Sequence, residues 1–475
     1  MRALVKSTTA LLTGATALVL AGCNVGPKYL RPQVPTPPAY RGPDDTAVSS
    51  DAKDSLGDQQ WSAVFREPEL QDLIKQALIN NYDLRVAAQK VLEAQSQVRV
   101  TRSAEFPTLS VGGSGIGAEL PDSFSSGSTS GIANPLVAGS FNLSAAWNPD
   151  FWGLYRRQTE AARAQLLSQE WAQRAVRMTL VSQVATSYFT LRALDQQLVV
   201  AKQTLAARQD SVQLTTSLEK GGSAPLSDVR QAEQLLYTAS AQIPQLEQQI
   251  QQQENTMSFL LGKAPGPIAH TDPNALTPVP QDLPVGLPSQ LLERRPDIEQ
   301  AEAQLKAANA QIGVARAQFF PQLSISASAG VGGDSFTDMF NTGAKTIYGI
   351  GSLTQPIFQG GKLRGQYELS KQQKEEMLLT YQKTIITAFR DVSNSLIAVN
   401  KVRSTRAEQQ KLVDAAQDAT RLARIRYQGG STSYLEVLTT DTNLFTARLN
   451  LISAQQSEAL SLVQLYQALG GGWQQ

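Results

Sequence analysis

The chain carries very few of the side chains that catalytic chemistry usually needs. Cys23 is the only cysteine and His270 the only histidine among 475 residues. One thiol and one imidazole cannot form a cysteine–histidine pair, an intrachain disulfide or a metal cluster of these ligands. The sequence also lacks a nucleophile elbow, a phosphate-binding loop and a dinucleotide fingerprint. We therefore predict that the protein is not an enzyme and holds no metal.

The context of the single cysteine suits lipid attachment. An apolar run, residues 10–22, is too short to cross a bilayer as a mature helix and indicates a secretory signal peptide. It ends in the letters LAGC at 20–23, which resemble the lipobox of bacterial lipoproteins, where the cysteine becomes an acylated N-terminus. We expect an N-acyl diacylglycerol lipid on Cys23 as the only bound group, with an ordinary signal peptide as the alternative. By the same likeness, Asn24 directs the anchor to the outer membrane.

The overall charge points to no polyanionic partner. Lysine and arginine total 42 against 41 aspartates and glutamates, which leaves a net charge of +1. This charge argues neither for nor against nucleic acid or anionic lipid, and we predict no nucleic-acid partner. Aromatic residues make up only 7% of the chain, a composition that suits long solvated helices better than a thick core.

The last part of the chain is dominated by a long helical hairpin, residues 362–469. Its first arm contains no proline, and its apolar residues recur at helical spacing. About 67 residues at a rise of about 1.5 Å give a rod roughly 100 Å long. Gly429 and Gly430 form a stop signal, and Ser433 with Glu436 has the spacing of a capping box for the return helix. Taken alone, this hairpin would be interpreted as an antiparallel coiled coil.

A second such hairpin and two strand pairs precede it. The earlier hairpin occupies residues 154–261 and turns at Gly221 and Gly222, and the strand pairs lie near 108–148 and 322–355. Alternating residues give the strands an apolar face and a polar or small face. Such strands could cross a bilayer only in a closed barrel, and four are too few for one chain to close alone. A soluble sheet is the alternative.

The chain also repeats itself. Residues from Asp83 to Ser110 correspond to residues from Asp297 to Ser324 at an offset of 214, and the two glycine turns correspond at an offset of 208. Constant offsets over many positions indicate an internal duplication. The predicted domains are a lipoprotein signal peptide (1–22), a lipidated extended segment (23–60), a first structural repeat (61–288) and a second structural repeat (289–475).

Motifs spread over the whole chain resemble one family. The lipobox is followed by GPKY at 26–29, the second repeat contains RPDI at 295–298, and the last turn reads RYQGG at 426–430. In this order and spacing they resemble the outer-membrane efflux lipoproteins of the TolC/OprM type, the NodT-like channels that serve RND efflux pumps. The resemblance covers about residues 20–470.

The resemblance implies a fold class and a function. The fold would be an α+β membrane protein: a homotrimer in which each chain gives four strands to a twelve-stranded outer-membrane β-barrel, continued by a periplasmic α-helical barrel. The protein would be a passive exit duct for drugs, toxic compounds or metal ions. Its partners would be a periplasmic adaptor protein, an inner-membrane RND-type pump and outer-membrane lipid. The alternatives are a type I protein-secretion duct and a lipid-anchored coiled-coil tether between outer membrane and cell wall.

By resemblance, the periplasmic end carries an iris-like gate. Arg426, Tyr427 and Leu435 match positions that hold this end closed, and Asp228 and Glu436 match acidic positions near the constriction. A ring of carboxylates in a narrow pore attracts cations. The structural alternative is that both carboxylates merely suit the first turn of a helix.

The acidic positions depart from the family pattern at one place. Thr439 stands where relatives often carry a further aspartate, and Asp441 follows two residues later. The composition of the acidic ring is therefore left open by the sequence. The hairpin turns are expected to be the tips that contact the adaptor, through Gly221, Gly222, Gly429 and Gly430.

Overall fold

The structure is a computed structural model that describes residues 24–48, 55–119, 136–269, 284–334 and 341–474. The predicted signal peptide, Cys23 and His270 lie outside the described residues. The chain divides into two compact units. The first takes residues 1–32, 91–168 and 301–381, and the second takes 33–90, 169–300 and 382–475.

Helices account for most of the described chain, and the strands are few. The strands are β1 (Tyr40–Arg41), β2 (Ala47–Val48), β3 (Thr108–Ala118), β4 (Leu136–Trp147), β5 (Gln322–Gly333) and β6 (Lys345–Thr354). The α-helices are α1 (Trp61–Val64), α2 (Pro68–Asn80), α3 (Tyr82–Ser103), α4 (Leu154–Lys220), α5 (Leu226–Leu260), α6 (Pro288–Arg294), α7 (Pro296–Ala317), α8 (Lys362–Gln428) and α9 (Tyr434–Ala468). Within these ranges no helix is both long and apolar enough to span a membrane.

The first unit contains a four-stranded antiparallel sheet in the order β3-β4-β5-β6. The two predicted strand pairs are thus joined, because β4 pairs with β5 and places Ser144 opposite Ser328. One face carries the apolar residues of the alternation, and several of them are exposed: Leu109, Val111, Phe141, Leu143, Ile325, Ile347 and Leu353. The other face carries serine pairs joined by hydrogen bonds, Ser114–Ser140, Ser144–Ser328 and Ser324–Ser352, together with the exposed side chains of Ile116, Tyr348 and Ile350.

An extended N-terminal segment is bound to the same unit. The Val25 N–H donates to the carbonyl of Trp152 at 3.2 Å, and Arg157 donates to the Val25 carbonyl at 3.1 Å. Gly26 has a φ of +117°, and a Cβ there would lie 2.5 Å from the Cα of Gly313. Only glycine fits that approach, so the residues after Cys23 are held in a defined course.

Helix lengths are the same in the two halves of the chain. α4 and α8 each contain 67 residues, and α5 and α9 each contain 35. α3 and α7 each contain 22. The starts and ends of the first two pairs differ by 208 positions throughout, from Leu154 and Lys362 to Leu260 and Ala468.

Both hairpins of the second unit turn with the same hydrogen bonds. Ser223 N–H donates to Leu218 O at 2.8 Å, and Ser431 N–H donates to Arg426 O at 2.9 Å. These six-residue closures are Schellman motifs, which need a left-handed residue after the helix. Gly222 and Gly430 supply it, each with a φ of +71°. In each turn the second glycine, Gly222 or Gly430, is therefore the one that the backbone conformation requires.

Replacing Gly430 by alanine is expected to destabilise the second turn by about 1–2 kcal/mol, since a Cβ disfavours left-handed backbone. No atom lies within 4 Å of that Cβ, so the backbone angle alone sets the cost. Gly429→Ala is the matched control, because Gly429 has no positive φ. Hydrogen exchange at the turn measures both, and equal effects of the two variants would contradict the assignment.

Candidate functional site at the helical turns

Two of the predicted gate residues join the two hairpins. The hydroxyl of Tyr427, on α8, donates to Asp228 Oδ2, on α5, at 3.2 Å. Asp228 stands in the first turn of α5, as predicted, but its carboxylate has a partner on the other hairpin. Burial, and then the nearby Asp228 carboxylate, raise the pKa of Tyr427 to about 12. The phenol therefore stays protonated and remains a donor at neutral pH.

The other predicted ion pair lies within one hairpin. Arg426 Nη1, at the end of α8, donates to Glu436 Oε1, in the first turn of α9, at 2.9 Å. Thr432 also donates to the Glu436 carboxylate. The predicted capping box is wrong, because Ser433 makes no side-chain cap. In the bond with the Arg426 guanidinium both partners are charged, whereas in a capping box only the Glu436 carboxylate would be.

Tyr427 and Leu435, predicted together as gate residues, have different surroundings. Tyr427 packs edge to face against Tyr434 at 5.2 Å between ring centroids. Tyr434 is 3% exposed in an apolar cluster with Ala423 and Val437. Leu435 is 59% exposed. The phenol of Tyr427 thus belongs to the packing of its own chain, whereas the side chain of Leu435 is available to another molecule.

A buried arginine that the sequence did not single out ties the helices together. Arg208 Nε, on α4, donates to Asp441 Oδ2, on α9, at 2.9 Å, and Arg208 Nη1 donates to Leu235 O, on α5, at 2.8 Å. Arg424, on α8, donates to Asp441 Oδ1 at 2.9 Å. Arg208, Asp441 and Arg424 are called the clasp below. The Asp441 carboxylate connects α4, α8 and α9, and the Arg208 guanidinium adds α5 through the Leu235 carbonyl.

The contacts of the clasp show that the Asp441 carboxylate is bound within its own chain. Its side chain is 8% exposed and holds two guanidiniums, so it is not free to stand in a ring with other carboxylates. Two residues of helix amount to about 200° of rotation, which puts Asp441 on nearly the opposite side of α9 from Thr439. Thr439 donates to the Leu435 carbonyl at 2.8 Å and supplies no charge.

A signal for the clasp is present in the sequence. Ala201, Arg208 and Thr215 repeat at seven-residue spacing along α4, and all three are buried. Asp441 likewise falls between Val437 and Phe445 on the buried side of α9. A charged residue in phase with an apolar stripe requires a buried partner. Opposite charges in phase on two neighbouring helices would have indicated this pair.

Tyrosine titration tests the contact between the hairpins. Since the pKa of Tyr427 is raised above the ordinary 10.0, its stabilising contribution is complete below pH 10 and is lost as the pH rises to about 12. We expect Tyr427→Phe to remove one tyrosinate absorbance transition near pH 12. Asp228→Asn should move that transition to lower pH, because the carboxylate no longer opposes ionisation. A missing transition near pH 10 instead would contradict the contact.

The geometry defines a class of protein. It is a helix-rich chain with a small sheet that has one exposed apolar face, and its two helical hairpins are joined by hydrogen bonds and ion pairs near their turns. In the parts of the chain that the structure describes, no three His, Cys, Asp or Glu residues form a group suited to a metal ion. The contacts near the turns are ion pairs, hydrogen bonds and apolar packing.

Comparison with known proteins identifies the family. The profile described as "Outer membrane efflux protein" matches residues 73–263 and 287–471. The chain is 38% identical to the probable efflux pump outer membrane protein TtgC of Pseudomonas putida strain KT2440, over 98% of this chain and 95% of that one. It is 33% identical to the cation efflux system protein CusC of Escherichia coli strain K12, over 97% and 99%.

A solved structure agrees with these relatives. The open state of the Neisseria gonorrhoeae MtrE outer membrane channel superposes with a TM-score of 0.80 at 27% identity, covering 95% of this chain and 99% of that one. The chain belongs to the outer membrane efflux protein family, and the resemblance predicted from the motifs is confirmed. It is an outer-membrane efflux component, and its family consists of transport proteins rather than enzymes.

Proposed function

We propose that this protein is the passive exit duct of a tripartite efflux pump and that it works as a homotrimer. The observation that carries the proposal is the sheet of the first unit. It presents an exposed apolar face and a serine-rich face, as expected for a strand surface with lipid on one side and water on the other. A lipid-facing sheet needs every backbone group paired, which a single four-stranded sheet does not provide.

The sheet has two edges through which copies could join. In the described chain, β3 and β6 are each paired on one side only. Pairing β3 of one copy with β6 of the next closes a ring, and three copies give twelve strands, within the range of known barrels. The long helices α4, α5, α8 and α9 would continue this barrel as a periplasmic tunnel.

Lipid attachment at Cys23 fits the course of the segment that follows. The bound residues after it, from Val25 onward, attach the N-terminus to the unit that contains the sheet. An acyl anchor at Cys23 would add membrane affinity to that unit. Lipidation needs the signal peptide to be cleaved after residue 22. Residues 1–22 would then be the signal peptide and residues 23–60 the lipidated segment that precedes the two repeats.

The gate would lie at the helical turns. Asp228, Arg426, Tyr427 and Glu436 are called the tip network below. Tyr427 and Asp228 join the two hairpins, Arg426 and Glu436 join the two arms of one hairpin, and exposed Leu435 lies beside them. In a trimer each of these residues becomes a ring of three. Opening would require the hydrogen bond between Tyr427 and Asp228 to break, because packed helices can separate only when the contacts between them are lost.

Partners and cargo follow from the relatives. The exposed turns, with Gly221, Gly222, Gly429 and Gly430, would contact the periplasmic adaptor, which links the duct to an inner-membrane RND-type pump. TtgC is named for an efflux pump and CusC for a cation efflux system, so the cargo class is small molecules or cations rather than proteins. A protein-secretion duct and a coiled-coil tether remain the alternatives.

The proposal is tested with purified full-length protein. We expect a heat-resistant trimer on a denaturing gel, stepwise ion conductance in planar bilayers, and incorporation of labelled palmitate that Cys23→Ser abolishes. A properly lipidated protein that yields no conductance steps would overturn the duct in favour of the tether. A conducting protein without label would keep the duct and remove the lipid anchor.

A further inference from the structure

A basic cleft lies beside the clasp in the second unit. It has a volume of about 460 Å³ between α4, α8 and α9. Three arginines line it, Arg421, Arg424 and Arg448, and Asp441 is the one carboxylate among the lining residues. Its apolar wall is formed by Ala207, Ile425, Leu444 and Phe445.

The positive charge of the cleft is not balanced by its own residues. Asp441 is shared by Arg208 and Arg424. Arg421 is paired with Asp418 on the same helix at 3.3 Å, an exposed contact of small energy. Arg448 makes no ion pair within the described residues, and its side chain contacts Gln417. The cleft therefore retains net positive charge next to an apolar wall.

The hydrogen-bond donors of two guanidiniums are also far from saturated. Arg424 donates to Asp441 alone within the described chain, and its buried Nε has no acceptor. Arg448 has one long contact, 3.4 Å from Nη2 to Gln417 Oε1. A guanidinium carries five N–H donors in a planar fork that matches a carboxylate. Two guanidinium groups with unoccupied N–H donors beside one cavity could bind an oxyanion.

We propose that this cleft binds a small organic carboxylate, with its oxygens on Arg424 and Arg448 and its apolar part on Leu444 and Phe445. The combination of a few convergent charged groups with an apolar wall is typical of small-ligand sites. The site is separate from the tip network and does not depend on the proposed duct. Because Arg424 also holds Asp441, the bound carboxylate would lie directly against the clasp.

The same chemistry could come from an acidic side chain of a second copy of the chain. The experiment separates the two sources by using free benzoate, whose ring and carboxylate match the two halves of the cleft. Equilibrium dialysis of the full-length protein against labelled benzoate is expected to show one saturable site per chain. Unlabelled benzoate should compete, and benzamide, which lacks the charge, should not.

Variants locate the site. Arg448→Gln removes a guanidinium that makes one long hydrogen bond, to Gln417, so the fold should be little affected. The variant is expected to raise the Kd for benzoate at least about tenfold, as for the loss of a charge-assisted hydrogen bond. Arg424→Gln should do the same. Arg230→Gln is the matched control: Arg230 is an exposed arginine of α5 whose ion pair is with Glu233, and its replacement should leave the Kd unchanged.

Saturable binding that both cleft variants weaken, and that the control retains, supports the site. Absence of saturable binding overturns it, and so does binding that Arg448→Gln leaves intact. If benzoate does not bind and the cleft variants release monomers from the trimer, the cleft is filled by a neighbouring chain and the proposal is wrong.

Discussion

Replacing Asp441 by alanine is expected to destabilise the second unit by about 3–5 kcal/mol, the usual effect of breaking a buried ion pair by removing one partner. The reason is Arg208, whose side chain is 2% exposed and would keep its charge without a carboxylate. Hydrogen exchange of the amides in α4, α8 and α9 around the clasp measures the loss as a lower free energy of local opening.

Two comparisons make that result specific. Glu436→Ala removes an ion pair whose arginine is 55% exposed, and such pairs are worth about 0–1 kcal/mol. The double change Arg208→Met with Asp441→Leu removes both buried charges and should restore most of the stability. A loss for Asp441→Ala no larger than for Glu436→Ala would show that the clasp is solvated, contrary to its burial.

The elements were predictable because their signals are local. Apolar residues at helical spacing gave the two long hairpins, and the glycine pairs gave their turns, with Gly222 and Gly430 in the left-handed positions. The alternation in the strands gave the two faces of the sheet. Each of these features depends on the residue types within one short window of sequence.

Partner choice was not predictable, because it depends on which helices become neighbours. The sequence placed Tyr427 with Leu435, whereas the structure packs Tyr427 against Tyr434 and bonds it to Asp228, about 200 positions away in the chain. One step along a helix turns a side chain by about 100°. That rotation takes Tyr434 into the apolar cluster and leaves its neighbour Leu435 outside it.

The clasp shows the same limit for charged residues. Arg208 and Asp441 look like ordinary solvated charges when each is considered in its own helix. Their pairing is evident only once α4 and α9 are known to be adjacent, because Arg208 Nε then lies 2.9 Å from Asp441 Oδ2. The sequence left open whether Asp441, two residues after Thr439, belongs to an acidic ring. Its carboxylate instead accepts hydrogen bonds from Arg208 and Arg424 of the same chain.

The largest functional effect is expected from the double change Tyr427→Ala and Leu435→Ala, which should raise the single-channel conductance several-fold. Tyr427→Ala removes the only contact of the tip network between the two hairpins, its bond to Asp228. Leu435→Ala removes an exposed apolar side chain that a neighbouring copy would cover. In the proposed trimer six bulky groups would leave the proposed constriction together. Planar-bilayer recording of the purified protein measures the change.

Single variants separate the two contributions. Tyr427→Phe keeps the ring against Tyr434 and loses only the hydroxyl, so a rise in conductance with this variant assigns the latch to the bond with Asp228. Leu435→Ala alone tests packing between copies, because this side chain lies outside the apolar cluster of its own chain. Conducting trimers in which the double variant matches the unmodified protein would move the gate away from the turns, since neither the latch nor the apolar contact would then limit the pore.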